Sequence, residues 1–178
     1  MSFYQPISLL FTLLMLAGCA GHTLNDYAER SPTFIPEAFF QGPLVAHGVV
    51  KNRSGEAIRH FDATIDASWQ GGIGTLAERF TFDDGEVQYR NWTLTPTNQG
   101  RFDATAGDVK GIGKGQFQGN ALNLKYTLMI DYNDSKLAVN VDDWMWLVDK
   151  NVVMNESTLR KWGFKVGSVQ LVIRKLEE

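Results

Sequence analysis

Phe61-Asp62-Ala63-Thr64-Ile65-Asp66-Ala67-Ser68-Trp69 alternates without interruption between apolar and polar side chains. A period of two is that of an extended strand with one face in a core and the other in solvent. The same rhythm continues through Leu76, Phe80 and Phe82, then through Glu86–Leu94. It recurs in Gly111–Gln118, Ala121–Tyr132, Lys136–Val148, Val152–Asn155 and Phe164–Arg174. Turn signals separate these runs: Asp83-Asp84-Gly85, Thr97-Asn98-Gln99-Gly100, Gly119-Asn120, Asn133-Asp134-Ser135 and Asp149-Lys150-Asn151. One helical turn is expected over Ser157–Trp162, with Ser157 as its cap. The reading is an all-β antiparallel meander of about eight to ten strands over residues 44–178, closed into a small barrel because closure removes exposed edges. A two-sheet sandwich is the alternative.

Two hairpins define registers. A three-residue loop at Asp83-Asp84-Gly85 pairs Phe82 with Glu86, Phe80 with Gln88, Glu78 with Arg90 and Leu76 with Trp92. A two-residue turn would set Arg79 against Arg90, a like-charge pair that costs energy. The first register puts Glu78 and Arg90 on the apolar face, where each needs the other's charge. A two-residue turn at Gly119-Asn120 pairs Phe117 with Leu122, Gly115 with Leu124, Gly113 with Tyr126 and Gly111 with Leu128. A stripe of glycines so placed lets a barrel wall curve, or leaves interior room over Leu124 and Tyr126.

The N-terminus carries a different signal. Ile7–Leu16 is an uncharged apolar run, too short for a stable membrane span and fitting a signal-peptide core. Leu16-Ala17-Gly18-Cys19 follows, a lipobox whose cysteine is the single one in the chain. Residues 1–18 are therefore expected to be a cleaved signal peptide. Cys19 becomes the lipidated first residue, carrying acyl chains such as palmitate, and 19–43 forms a tether or N-terminal wrap. Each buried methylene is worth about 0.8 kcal/mol, so more than one chain gives stable attachment. The n-region departs from the usual pattern in having no Lys or Arg. By resemblance to bacterial lipoproteins, Ala20 after the cysteine favours the outer membrane, with the domain facing the periplasm.

Composition excludes several functions. Hydrophobic residues are 44% of 178, enough for one core, and net charge is −3, which leaves no electrostatic footprint for nucleic acid. Gly111-Ile112-Gly113-Lys114-Gly115 lacks the Lys-Ser/Thr ending and following helix of a phosphate loop. His22, His47 and His60 have no metal-ligand spacing, and no Gly-x-Ser-x-Gly elbow occurs. No cofactor, metal or catalytic residue is expected.

The carboxylates of Val141-Asp142-Asp143-Trp144-Met145-Trp146-Leu147 remain. Adjacent strand residues point apart, so Asp142 and Asp143 cannot act as a pair on one bond. Alternation groups Asp142 with Trp144 and Trp146, and Asp143 with Met145 and Leu147. The interior carboxylate needs a donor such as Arg90 or Lys161, and the pattern leaves open which face is inside.

The chain resembles the DUF3833 family of bacterial lipoproteins of unknown function from about Phe39 onward. The residues that carry this are Leu76-x-Glu78-x-Phe80, Asp84-Gly85, Arg90-x-Trp92, Asp108-x-x-Gly111, Gly119-Asn120-Ala121, Asp142-Asp143-Trp144-Met145, Asn155 and Lys161-x-Gly163. The resemblance implies a calycin-like (lipocalin-like) barrel and no particular activity. The expected function is binding of a fatty acyl chain or lysolipid in the barrel. Interior candidates are Glu78, Arg90, Trp92, Tyr126, Asp142, Asp143 and Trp144, with Arg90 for an anionic head group. The alternative is a filled barrel that binds an envelope protein partner; a lipid-modifying enzyme with Glu78 or an Asp as base comes third.

Overall fold

A computed structural model describes residues 21–132 and 135–176. The signal segment, Cys19 and the Asn133-Asp134 part of one turn lie outside these. Ten strands run in chain order: β1 (Gly42–Asn52), β2 (Ala57–Gln70), β3 (Ile73–Phe82), β4 (Val87–Asn98), β5 (Arg101–Thr105), β6 (Gly113–Gln118), β7 (Ala121–Tyr132), β8 (Ser135–Asp149), β9 (Val152–Lys161) and β10 (Phe164–Lys175). Each pairs antiparallel with its sequence neighbour. β1 then pairs with β10, from Leu44–Lys175 to Asn52–Gly167, and closes the barrel. The sandwich alternative is thereby set aside.

Alternation has become inside and outside. Phe61, Ala63, Ile65 and Ala67 are buried, and the residues between them are exposed. The β3–β4 register is the expected one: Glu78 faces Arg90, and Leu76 faces Trp92. Phe82 donates its N–H to the Glu86 carbonyl at 2.9 Å, with Gly85 in the left-handed region. The Gly119-Asn120 turn likewise pairs Phe117 with Leu122 and Gly115 with Leu124.

Two expectations are corrected. Ser157–Trp162 makes no helical turn; residues 157–161 continue β9, and Trp162 with Gly163 turns the chain into β10. Here the ladder partners on β8 and β10 outweigh the local capping preference. Gly111 does not pair with Leu128. It has φ +74°, lies before β6, and leaves Val109 to bridge Leu128. The connection 106–112 folds over β7 instead, with Lys110 N–H on the Thr127 carbonyl and Met129 N–H on the Asp108 carbonyl.

The glycine stripe is occupied at Gly115, while a Cβ on Gly111 would meet nothing within 4 Å. A Cβ on Gly115 would sit 2.1 Å from the Phe102 ring, which lies across it from β5. Gly115 thus gives an aromatic ring room to lie flat on the wall, as Gly48 does for Phe61 and Gly74 for Trp69.

The N-terminal segment packs onto the barrel. A 3-10 turn (Leu24–Tyr27) and a short helix α1 (Pro36–Phe39) precede β1. Phe34, Phe39 and Phe40 are buried in mutual ring contact and join the core. Burial of each contributes about 1.5–3 kcal/mol. Phe34 N–H donates to the Gly119 carbonyl, Trp69 Nε1 to the Phe40 carbonyl and Lys175 Nζ to the Ala38 carbonyl. All three anchors are at the end that holds the β2–β3 and β6–β7 turns, so the segment closes that end.

Candidate functional site

The barrel interior holds a cavity of about 680 Å³. That falls within the range of roughly 300–1,000 Å³ usual for small-molecule sites. Toward the closed end it meets Leu76, Leu94, Phe102, Leu122 and Phe40; toward the opposite end it is lined by Val50, Phe61, Phe80, Phe82, Ile130, Leu159 and Val169. That second end carries the β1–β2, β3–β4 and β9–β10 turns. At its rim the Arg59 guanidinium lies 3.8 Å from the Phe82 ring centroid and pairs with Asp84 at 2.8 Å and Glu86 at 2.9 Å. Lys136 pairs with Asp131 at 3.0 Å.

Between the two apolar zones runs a polar belt: Glu78, Arg90, Asp108, Tyr126, Asp143, Asn155 and Ser157. Arg90 Nε donates to both Asp108 oxygens, at 3.1 and 2.9 Å, and its Nη2 lies 2.8 Å from Oδ2. Glu78 Oε2 is 4.0 Å from Arg90 Nη1. Asp143 accepts from Asn155 Nδ2 and, at 2.7 Å, from Ser157 Oγ. Trp92 and Tyr126 meet edge to face, with centroids 5.2 Å apart.

The belt is short of positive charge, so burial acts on its acids. Burial pushes the Glu78 carboxyl up to about 7, against the pull of Arg90. Burial also pushes Asp143 up to about 6, although Ser157, Asn155 and Arg90 all favour its anion. The Tyr126 phenol is raised above its ordinary range, again by burial first. Two protonatable carboxyls near neutrality thus share the belt with one guanidinium, Arg90, that is already engaged.

Of the residues picked from sequence, the structure brings Glu78, Arg90, Trp92, Tyr126 and Asp143 together inside. Asp142 and Trp144 are not interior, which corrects that part of the expected set. The Met145/Leu147 face points in, and Val141 and Leu147 are buried there. Asp142 accepts from Asn123 Nδ2 at 2.7 Å on the outer face and has Lys125 at 4.0 Å. The interior carboxylate, Asp143, takes its hydrogen bonds from Asn155 and Ser157 rather than from the expected Arg90 or Lys161; Lys161 Nζ donates to the Ala138 carbonyl. Trp144 and Trp146 stack outside at 6.1 Å, covered by His22 and Tyr27 of the N-terminal wrap. The wrap supplies apolar cover from outside, so these indoles need no interior.

Asp108, Asn155 and Ser157 escaped the sequence reading as site residues. Asn155 and Ser157 share the inward face of β9 with Val153 and Leu159, a period-two signal hidden by the helical reading of 157–162. Asp108 had no such signal, because it comes from an irregular connection.

An all-β closed barrel with one plugged end and a cavity open toward the other has the architecture of the calycin-like, lipocalin-type barrels. The chain belongs to the DUF3833 family, described as a protein of unknown function, whose profile matches residues 13–175. Among solved structures, Rv2717c from M. tuberculosis is similar at TM-score 0.61 and 13% identity, over 84% of this chain and 100% of that one. The S-type phycobiliprotein lyase of Guillardia theta is similar at 0.58 and 11%, over 78% and 89%. A protein of unknown function from Nostoc punctiforme, of the DUF3598 family, gives 0.57 and 12%, over 82% and 51%. At these identities the likeness is one of fold. No curated protein matches the chain.

Proposed function

We propose that this protein is a lipid-anchored envelope protein that holds a single-chain amphiphile, of fatty-acyl or lysolipid type, inside its barrel. The observation that carries this reading is the cavity of about 680 Å³, apolar toward both ends and polar at the belt. A carrier barrel needs apolar walls for a chain and a few fixed polar groups for a head. The lipobox at Cys19 supports attachment to the outer membrane on its periplasmic side. The wrap agrees with such a tether: His22, three residues after the cysteine, already rests 4.2 Å from Trp144 on the barrel flank.

A second reading has its own observation. Trp162 is 84% exposed and Phe164 68%, both at the β9–β10 turn on the open end. Such a lip suits a partner in the envelope. Native mass spectrometry of protein recovered from its own cells, with Cys19→Ala behind a cleavable signal, separates the two. A discrete added mass that extracts into organic solvent as a lipid supports the carrier. A bare mass, with no uptake of added fatty acid, lysolipid, fatty alcohol or fatty amine, overturns it in favour of the interaction module.

A further inference from the structure

The belt contains the information about which head group fits. Its single cation, Arg90, is taken: Nε and Nη2 both point at Asp108, leaving Nη1 turned toward Glu78 at 4.0 Å. Asp143, 6% exposed, is held by Asn155 and Ser157, neither of which brings a charge. The cavity's other cations, Arg59 and Lys136, are at the mouth and paired with acids there. Carboxyls therefore outnumber guanidinium at the belt by three to one: Glu78, Asp108 and Asp143 against Arg90. An entering anion would have to displace Asp108 from Arg90 and sit beside two more acids, and like-charge contacts in a desolvated site are strongly unfavourable. An ammonium or hydroxyl donor finds acceptors in Glu78 and Asp143.

The geometry also gives an orientation. The closed end is filled by Phe34, Phe39 and Phe40, and the apolar zone with an exit is on the mouth side. We infer that the ligand enters head first, with its head at the belt and its chain running out past Phe61 and Phe80, and that the belt selects a head that is a hydrogen-bond donor, cationic or neutral, over a carboxylate or phosphate. The inference rests on the carrier reading and replaces Arg90 as the expected anion receptor.

The test uses the purified full chain and three probes with one tail: dodecylamine, 1-dodecanol and sodium dodecanoate, titrated calorimetrically at about pH 8, where Glu78 and Asp143 are ionised, below the micelle thresholds of the charged probes and the solubility limit of the alcohol. Dodecylamine is expected to bind at least about tenfold tighter than dodecanoate, with the alcohol between them. Asp108→Asn, which lowers the acid count and loosens the hold on Arg90, should narrow that gap. If its melting curve shows a lost fold, Glu78→Gln should narrow the gap instead. Dodecanoate binding as tightly as the amine overturns this inference and leaves the carrier standing. Failure of all three probes to bind overturns the carrier reading, and this inference with it.

Discussion

Arg90 forms its short contacts with Asp108, 18 residues further along the chain, and not with Glu78, its partner across the β3–β4 ladder. Cross-strand neighbours face each other with Cβ atoms close together, but a long guanidinium can reach past its neighbour. The 106–112 connection folds inward just far enough to meet it. Glu78 is left beside the ion pair rather than within it.

Asp108→Ala should therefore destabilise the barrel more than its partly exposed position suggests. It strands a guanidinium whose side chain is 18% exposed. Allowing for solvent near Asp108, the expected loss is about 2–3 kcal/mol, read from the urea midpoint at constant slope.

The raised carboxyls give a pH signature. Folded Glu78 and Asp143 hold protons more tightly than the unfolded chain does, with values of about 7 and about 6 against 4.5 and 3.8. The folded state binds more protons over that window, so stability falls as pH rises through it. The contribution is complete below the unfolded values and is lost on passing about 7. Asp84 and Glu86, held below the usual range chiefly by hydrogen bonds from the Glu86 backbone and Gln88, act in the opposite sense at more acid pH. Unfolding free energy should be higher near pH 5 than near pH 8. Glu78→Gln should shrink that difference, by on the order of 1–3 kcal/mol.

Ser157→Ala removes one of the two side-chain donors on buried Asp143. Leaving a buried acceptor short of a partner costs about 1–3 kcal/mol. The loss should be larger near pH 8, where Asp143 is ionised, than near pH 5. An equal loss at both would mean that Ser157 serves packing alone.

Gly119→Ala attacks the wrap. A Cβ there would lie 1.6 Å from the Tyr27 carbonyl oxygen, and Gly119 has φ +55°. The left-handed conformation alone costs about 1–2 kcal/mol for a residue with a Cβ. Tyr27 must also move away from Trp144 and Trp146. The expected result is a lower melting temperature together with red-shifted tryptophan emission; a lower melting temperature without the shift would show that the wrap stays in place.

Gly115→Val overpacks the wall against Phe102. Such insertions cost about 1–3 kcal/mol. Pairing it with Phe102→Leu should recover part of the loss in a double-mutant cycle, because the two side chains compete for one volume.

Much of the barrel is written in local pattern. The alternation through Phe61–Trp69 names a two-faced strand, and the Asp83-Asp84-Gly85 loop sets Glu78 opposite Arg90, because turn geometry and side-chain period are local properties. Those were readable residue by residue. The inward Asn155 and Ser157 were equally local, and were obscured by a capping preference that the ladders on both sides override.

Other features come only from closure. The pairing of Leu44 with Lys175 joins the first strand to the last and turns one apolar face into an interior. Alternation in the Asp142–Leu147 stretch separates two faces but carries no label for inside. That label came from the wrap, whose His22 and Tyr27 supply the outer indoles with a cover. Asp108 reaches Arg90 from a connection with no period at all. Period and turn chemistry are set by neighbours along the chain, whereas which charges share a cavity depends on distances between strands far apart in sequence, and these exist only once the barrel has closed.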